Sequence, residues 1–100
     1  MAEERNVKRI DELRQQIDDI DAQLVELLSK RAACALAIGH EKKLVGLEVY
    51  QPSREAEVLS HVQRINKGPL HDEAVKRLFE RIIDEARRLE RLADTDQQAT

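Results

Sequence analysis

Two basic residues, Arg31 and Lys42, occupy positions where the sequence pattern predicts apolar side chains. Apolar residues recur at alternating steps of three and four along one helical face, at Ile10, Leu13, Ile17, Ile20, Leu24, Leu27, Cys34 and Ile38. Position 31 continues this series, and Lys42 falls within roughly 20° of the same face on an ideal helix. Because burying an unpaired charge is costly, both cations must be paired or must bind an anion. The pattern therefore predicts a small anionic ligand held between helices.

Three further charged residues border apolar helix faces. Glu55 lies on the apolar side of a second predicted helix, and Glu90 lies beside the apolar face of a third. Arg14 lies next to the stripe of the first helix, roughly 100° around the axis from Arg31. If Arg31 and Lys42 face a pocket of their own chain, Arg14 is expected to face a different pocket, which in a dimer is the partner's.

A purely structural interpretation also fits the first of these residues. Arg31 can pair with a glutamate from a facing helix and so fix the register of the two helices. The joint presence of Arg31, Lys42, Glu55 and Glu90 on three inward faces favours a ligand site instead. Other charged residues are predicted to face solvent, namely Asp18, Asp19, Glu26, Lys30, Glu80, Arg81 and Arg87.

The elements that carry these residues are predicted to be three helices, in an all-α domain that spans residues 1–100 with about 7–93 ordered. The first begins between Val7 and Asp11 and ends near Leu44, the second covers about 52–65, and the third runs from Leu70 or Asp72 to Leu92. A first helix of this length leaves its apolar stripe exposed in a compact domain. A second copy of the chain would cover that stripe, so we expect an intertwined homodimer.

Composition narrows the class of function. The net charge is −3 and only two residues are aromatic, which argues against nucleic-acid binding. No apolar run is long enough to span a membrane, and a single cysteine, Cys34, predicts a reduced buried thiol in a cytoplasmic protein. No spacing typical of a metal site, a phosphate loop or a nucleophilic triad occurs. We therefore expect neither covalent catalysis nor a metal or other cofactor.

Four segments together resemble the all-helical chorismate mutases: IDELRQQIDDIDAQLVELLSKR (10–31), AIGHEKK (37–43), VYQPSREAEVL (49–59) and LFERIIDEARRLE (78–90). The resemblance covers about residues 10–92. It implies an intertwined homodimer of three-helix chains with two equivalent active sites. It also implies conversion of chorismate to prephenate, an isomerase reaction of phenylalanine and tyrosine biosynthesis, without a cofactor.

The resemblance also implies roles for individual residues. The carboxylate ligands of the family fall on Arg31 and, from the other subunit, on Arg14. The lysine that contacts the ether oxygen and a carboxylate falls on Lys42. The acid that binds the ring hydroxyl falls on Glu55, and the second ligand of the ether oxygen, often glutamine, falls on Glu90.

Two positions depart from the common bacterial pattern. Gln51 stands where an aspartate often precedes the proline of the second helix, and Ala86 stands where a serine often lies. Gln51 can still exchange hydrogen bonds with a hydroxyl group, whereas Ala86 lacks a hydrogen bond to a substrate carboxylate. We expect Ala86 to weaken substrate binding more than the chemical step.

Other functions are compatible with the same scaffold. An isochorismate pyruvate-lyase shares the cations but generally lacks the acid aligned with Glu55. A mutase for 4-amino-4-deoxychorismate is suggested by Gln51, which lies near the ring substituent in the family. A non-catalytic helical dimer with a regulatory or docking role predicts no turnover at all. The chain can also be a unit of a larger fusion enzyme.

Overall fold

A computed structural model describes the backbone of residues 1–99 and the side chains of residues 1–94. Its described backbone consists of three helices, α1 (Ala2–Val45), α2 (Pro52–Ile65) and α3 (Asp72–Ala99), joined by short connections. The predicted all-α class is therefore confirmed. α2 has the predicted bounds, whereas α1 begins before the predicted Val7 to Asp11, and α3 continues past the predicted end at Leu92.

The chain divides into two compact units, residues 1–31 and residues 32–100. The first unit is the N-terminal part of α1. A single helix has no second element on which to bury its apolar face. The large apolar side chains of this unit are accordingly exposed: Val7, Ile10, Leu13, Ile17, Ile20, Leu24, Val25, Leu27 and Leu28.

The second unit contains the end of α1 together with α2 and α3. α2 and α3 pack against each other, and Val62 of α2 and Ile83 of α3 are the buried apolar side chains among the described residues. The spacing of apolar residues predicts that Ile65 of α2 and Leu78 of α3 face inward, and this is wrong, because both are exposed in the chain.

Local capping explains where the helices end. Gly46 follows α1 with a φ of +76°, a left-handed conformation that glycine adopts without a steric penalty. This turn lets the Leu47 amide donate to the Lys42 carbonyl at 2.8 Å and so closes the last turn of the helix. Pro52 begins α2, where its missing amide proton costs no helical hydrogen bond.

The connection between α2 and α3 is built around Asn66. Its side-chain amide donates to the Leu70 carbonyl at 2.7 Å and to the Asp72 carboxylate at 2.9 Å. Its side-chain oxygen accepts the Gly68 amide at 3.1 Å. One side chain therefore ties the short connection to the first residue of α3. Among the described helices, none is long and apolar enough to cross a bilayer.

Candidate functional site

Lys42 and Glu90 form the centre of the candidate site in the second unit. The Lys42 Nζ lies 3.7 Å from the Glu90 Oε2, and the two side chains are 17% and 9% exposed. Lys42 comes from the end of α1 and Glu90 from α3, so the pair joins two helices. The expectation that Lys42 points inward is therefore confirmed, although its role as a ligand stays a prediction.

The Lys42 ammonium is held in place by a backbone group. Its Nζ donates a hydrogen bond to the Val49 carbonyl at 3.1 Å. Val49 belongs to the connection that leads from α1 to α2. An ammonium carries three donor hydrogens, so a further donor remains for a ligand after this bond is made. The position of Nζ is thus set before any ligand arrives.

Glu90 has a buried acceptor without a donor. Its Oε2 is fully shielded from solvent and has no hydrogen-bond partner among the described residues. The distance of 3.7 Å to Lys42 allows electrostatic attraction but exceeds that of a hydrogen bond. A buried polar atom of this kind is costly unless a ligand or a proton satisfies it. Glu90 is therefore the side chain in this unit that most needs a partner.

Gly39 allows the close approach of Glu90 to α1. A Cβ atom at position 39 would lie 3.1 Å from the Glu90 Cγ and 3.2 Å from its Cδ and Oε2. These distances are shorter than ordinary van der Waals contacts. Any larger residue at position 39 would require the Glu90 side chain to move. The absence of a side chain at Gly39 thus helps to fix the position of the carboxyl group.

A cavity of about 310 Å³ adjoins the Glu90 side chain. Its lining includes Gly39, His40, Val49 and Glu90, and it lies within the second unit. Lys42 does not line this cavity. The hollow is therefore next to Glu90, and the Lys42 side chain is not part of its lining.

Glu55 forms a two-pronged ion pair with Arg87. The Arg87 Nη2 donates to the Glu55 Oε1 at 2.7 Å, and its Nε donates to the Oε2 at 3.3 Å. The side chains are 23% and 22% exposed. The Arg87 guanidinium also lies over the Tyr50 ring, with its Cζ 5.0 Å from the ring centroid. The inward direction expected for Glu55 is confirmed.

The prediction that Arg87 faces solvent is wrong. Arg87 lies one turn after Ile83, the buried residue of α3, and therefore on the side of that helix that meets α2. The position of Arg87 relative to Ile83 could have indicated this from the sequence. The long aliphatic part of an arginine can cover apolar surface while its guanidinium reaches a carboxylate. Gly39 was also missed, because a glycine within a helix gives no sign of which neighbour approaches it.

The other predicted substrate contacts of the second unit, Gln51 and Ala86, are half-buried. The Gln51 Nε2 donates to the Glu48 carbonyl at 2.9 Å, so its side chain is engaged within the connection between α1 and α2. Ala86 provides no polar atom. Neither residue makes a contact that tests its predicted role.

Arg14 and Arg31 belong to the first unit. Arg14 is exposed and Arg31 is half-buried. Within residues 1–31, no acidic side chain forms an ion pair with Arg31. Pairing of Arg31 with a glutamate of a facing helix stays a prediction. Cys34, which belongs to the second unit and was predicted to be buried, is exposed in the chain.

Comparison with known proteins gives a consistent result. The family described as chorismate mutase type II matches residues 13–91. A bifunctional chorismate mutase/prephenate dehydratase of Neisseria gonorrhoeae is 50% identical over 86 residues, which cover 82% of this chain and 23% of that protein. A similar bifunctional protein of Pseudomonas aeruginosa is 43% identical over 83 residues, which again cover 23% of the relative. The chain thus spans about a quarter of the length of these curated relatives.

Solved structures give the same answer. A chorismate mutase (form II) from Thermus thermophilus is 35% identical and superimposes with a TM-score of 0.81. The match covers 83% of this chain and 94% of that one. The predicted resemblance is therefore confirmed by sequence and by fold.

Proposed function

Because the chain belongs to the chorismate mutase type II family, a family of isomerases, we propose that it converts chorismate to prephenate. This reaction is an intramolecular [3,3] rearrangement in which a carbon–oxygen bond breaks while a carbon–carbon bond forms. It needs no nucleophile and no external proton. A protein can accelerate it by holding the dianion in its compact conformer and by stabilising negative charge on the ether oxygen.

The observation that carries this proposal is the buried pair of Lys42 and Glu90, with Nζ held by the Val49 carbonyl. Lys42 donates to the ether oxygen and stabilises the charge that develops as the carbon–oxygen bond lengthens. Because Nζ is already oriented, little reorganisation is needed in the transition state. Glu90 lies on the other side of the ether oxygen, where its unpartnered Oε2 supports a direct contact with the substrate.

Glu90 contributes by donating a hydrogen bond to the ether oxygen. An ionised carboxylate only accepts hydrogen bonds and would repel the negative charge on the ether oxygen, whereas a neutral carboxyl group donates one. The absence of a donor to its Oε2 among the described residues supports a direct contact between Glu90 and the substrate.

The substrate carboxylates are bound by Arg31 and Arg14, since the planar guanidinium matches a carboxylate with two parallel hydrogen bonds. Gln51 and Glu55 contact the ring hydroxyl, and Ala86 lies near a carboxylate. These assignments follow the alignment with the family and await testing by substitution.

The active form is a homodimer in which Arg14 of one chain completes the site of the other. The exposed apolar stripe of the first unit supports this, because an isolated helix segment cannot cover such a face by itself. A second copy of the same segment, laid along the stripe, buries it and Cys34 with it. Sedimentation equilibrium is expected to give twice the mass of the chain at micromolar concentration, and a monomer would contradict this part of the proposal.

One assay tests the function directly. The protein is incubated separately with chorismate, isochorismate and 4-amino-4-deoxychorismate, and the products are identified by mass spectrometry. We expect prephenate from chorismate as the fastest reaction. Release of pyruvate from isochorismate as the main activity would identify a lyase, and turnover of none would identify a non-catalytic helical module. A cytoplasmic location is part of the same proposal and is tested by cell fractionation.

A further inference from the structure

The negative charge of the Glu55 carboxylate is balanced by the positive charge of Arg87, with which it forms an ion pair. Both carboxylate oxygens accept hydrogen bonds from the same guanidinium, at 2.7 Å and 3.3 Å. A carboxylate has lone pairs to spare after such a two-pronged contact, so it can still accept one more hydrogen bond. Its charge, however, is balanced by a cation in direct contact.

The guanidinium is held by three elements of the second unit. Arg87 itself belongs to α3, Glu55 belongs to α2, and the Tyr50 ring under the guanidinium belongs to the connection before α2. The side chains of Arg87 and Glu55 are both more than three-quarters buried. A cation stacked on an aromatic ring and paired with a carboxylate loses much of its freedom. The charge that faces Glu55 is therefore fixed in position.

A second acid also lies near Arg87. The Asp84 Oδ1 is 3.5 Å from the Arg87 Nη2, but the Asp84 side chain is 56% exposed. Water screens such a charge strongly, so Asp84 competes weakly for the guanidinium. Glu55, at 2.7 Å and largely buried, is the acid that Arg87 balances.

We infer that Arg87 is a specificity-determining residue that makes the Glu55 position select a neutral hydroxyl over an ammonium on the substrate ring. This rests on the proposed function, in which Glu55 contacts the ring hydroxyl of chorismate. A lone carboxylate would attract a cationic substituent more strongly than a neutral one. A carboxylate already paired with arginine keeps its ability to accept from a hydroxyl and loses that electrostatic preference. Arg87 acts through Glu55 and is a positioning residue.

The test measures the ratio of kcat/KM for 4-amino-4-deoxychorismate to kcat/KM for chorismate. The first compound carries an ammonium at neutral pH where the second carries the hydroxyl. In Arg87→Gln the ratio is expected to rise on the order of 10-fold at low salt, because the compensating charge is lost. In Glu55→Gln, where Arg87 stays unpaired and repels the ammonium, the ratio is expected to fall. In Arg87→Lys, which keeps the charge but loses the two-pronged contact, the ratio is expected to rise less than in Arg87→Gln.

Two exposed residues of α3 provide matched controls. Arg81 pairs with Glu85 on the solvent side of the helix. Arg81→Gln therefore removes the same charge without touching Glu55 and is expected to leave both rates unchanged. Asp84→Asn removes the exposed acid and is expected to change the ratio by less than about twofold. Circular dichroism identifies any variant that fails to fold.

The outcomes separate this inference from the proposed function. If the wild-type protein converts neither compound, the proposed function fails and the inference fails with it. If the wild type converts chorismate but the ratio does not rise in Arg87→Gln, the inference alone is overturned. Should Arg87→Gln not fold, Glu55→Gln decides, because a ratio that is unchanged or raised in that variant also overturns the inference.

Discussion

The two units of this chain use apolar and charged residues in opposite ways. In residues 1–31 the apolar stripe is exposed, and the ion pairs join neighbouring turns of the same helix, as between Glu26 and Lys30. In residues 32–100 helices pack on one another, and the main ion pairs join different helices, as between Lys42 and Glu90. Pairs within one exposed helix add little stability, whereas buried pairs between helices restrict geometry. The second unit therefore contains buried ion pairs that fix the geometry between helices, whereas the first unit exposes its apolar face.

Among the substitutions that test this difference between the units, that of Lys42 is expected to change kcat the most. Lys42→Ala removes a preorganised donor, so kcat is expected to fall about 10²- to 10³-fold, equivalent to roughly 3–4 kcal/mol. Lys30→Ala is the matched control, because Lys30 is an exposed lysine of the same helix that pairs with Glu26 at the surface. Steady-state kinetics with chorismate checks both variants. Near-normal turnover in a folded Lys42→Ala protein would show that Lys42 has a structural role and does not act on the substrate.

Mixing two inactive variants tests whether the first unit completes the site of a partner. Arg14→Ala and Lys42→Ala are each expected to lose most activity. If Arg14 acts across the dimer, each mixed dimer has one intact site, and an equal mixture that exchanges subunits recovers about a quarter of wild-type activity. If Arg14 acts within its own chain, the mixture recovers none. Activity measured before and after subunit exchange distinguishes the two results.

Replacement of Glu90 tests whether this residue of the second unit donates a hydrogen bond during the reaction. Glu90→Gln supplies a permanent amide donor where a carboxyl group donates only when protonated. We expect Glu90→Gln to keep at least the wild-type kcat, because the amide donates to the ether oxygen. Glu90→Ala has no donor, so its kcat is expected to fall on the order of 10²-fold. Steady-state kinetics with chorismate provides the check, and near-normal kcat in a folded Glu90→Ala protein would exclude a contact between Glu90 and the ether oxygen.

The smallest expected effect comes from Gly39. Gly39→Ala increases helix propensity by about 1 kcal/mol, so the free energy of unfolding is expected to change little or to rise. The new Cβ lies against the Glu90 carboxyl group, and kcat is expected to fall on the order of 10-fold as that group moves.

A double-mutant cycle isolates this contact. In a Glu90→Ala background the crowding partner is gone, so Gly39→Ala is expected to have no further effect on kcat. An equal loss in both backgrounds would show that the substitution acts through the helix and not through Glu90. Chemical denaturation measures the stability of all four proteins.

Much of the architecture follows from periodic patterns. The alternation of apolar residues predicts three helices, and Pro52 and the Gly68-Pro69 pair mark boundaries that the structure reproduces at α2. The inward directions of Lys42 and Glu55 also follow from their spacing relative to apolar neighbours. The start of α1 and the end of α3 were less predictable, because polar helix formers continue beyond the apolar stripe in both.

Sequence by itself determined the helical class, the family resemblance and which residues share a face of each helix, since a helix has one fixed period. Only the tertiary structure decided that Arg87 pairs with Glu55 and that the Glu90 side chain packs against Gly39. It also decided that the Lys42 ammonium donates a hydrogen bond to the Val49 carbonyl. These contacts depend on the axial position and rotation of each helix against its neighbour. Periodicity within one helix carries no information about either quantity, because both arise from the packing of side chains between helices.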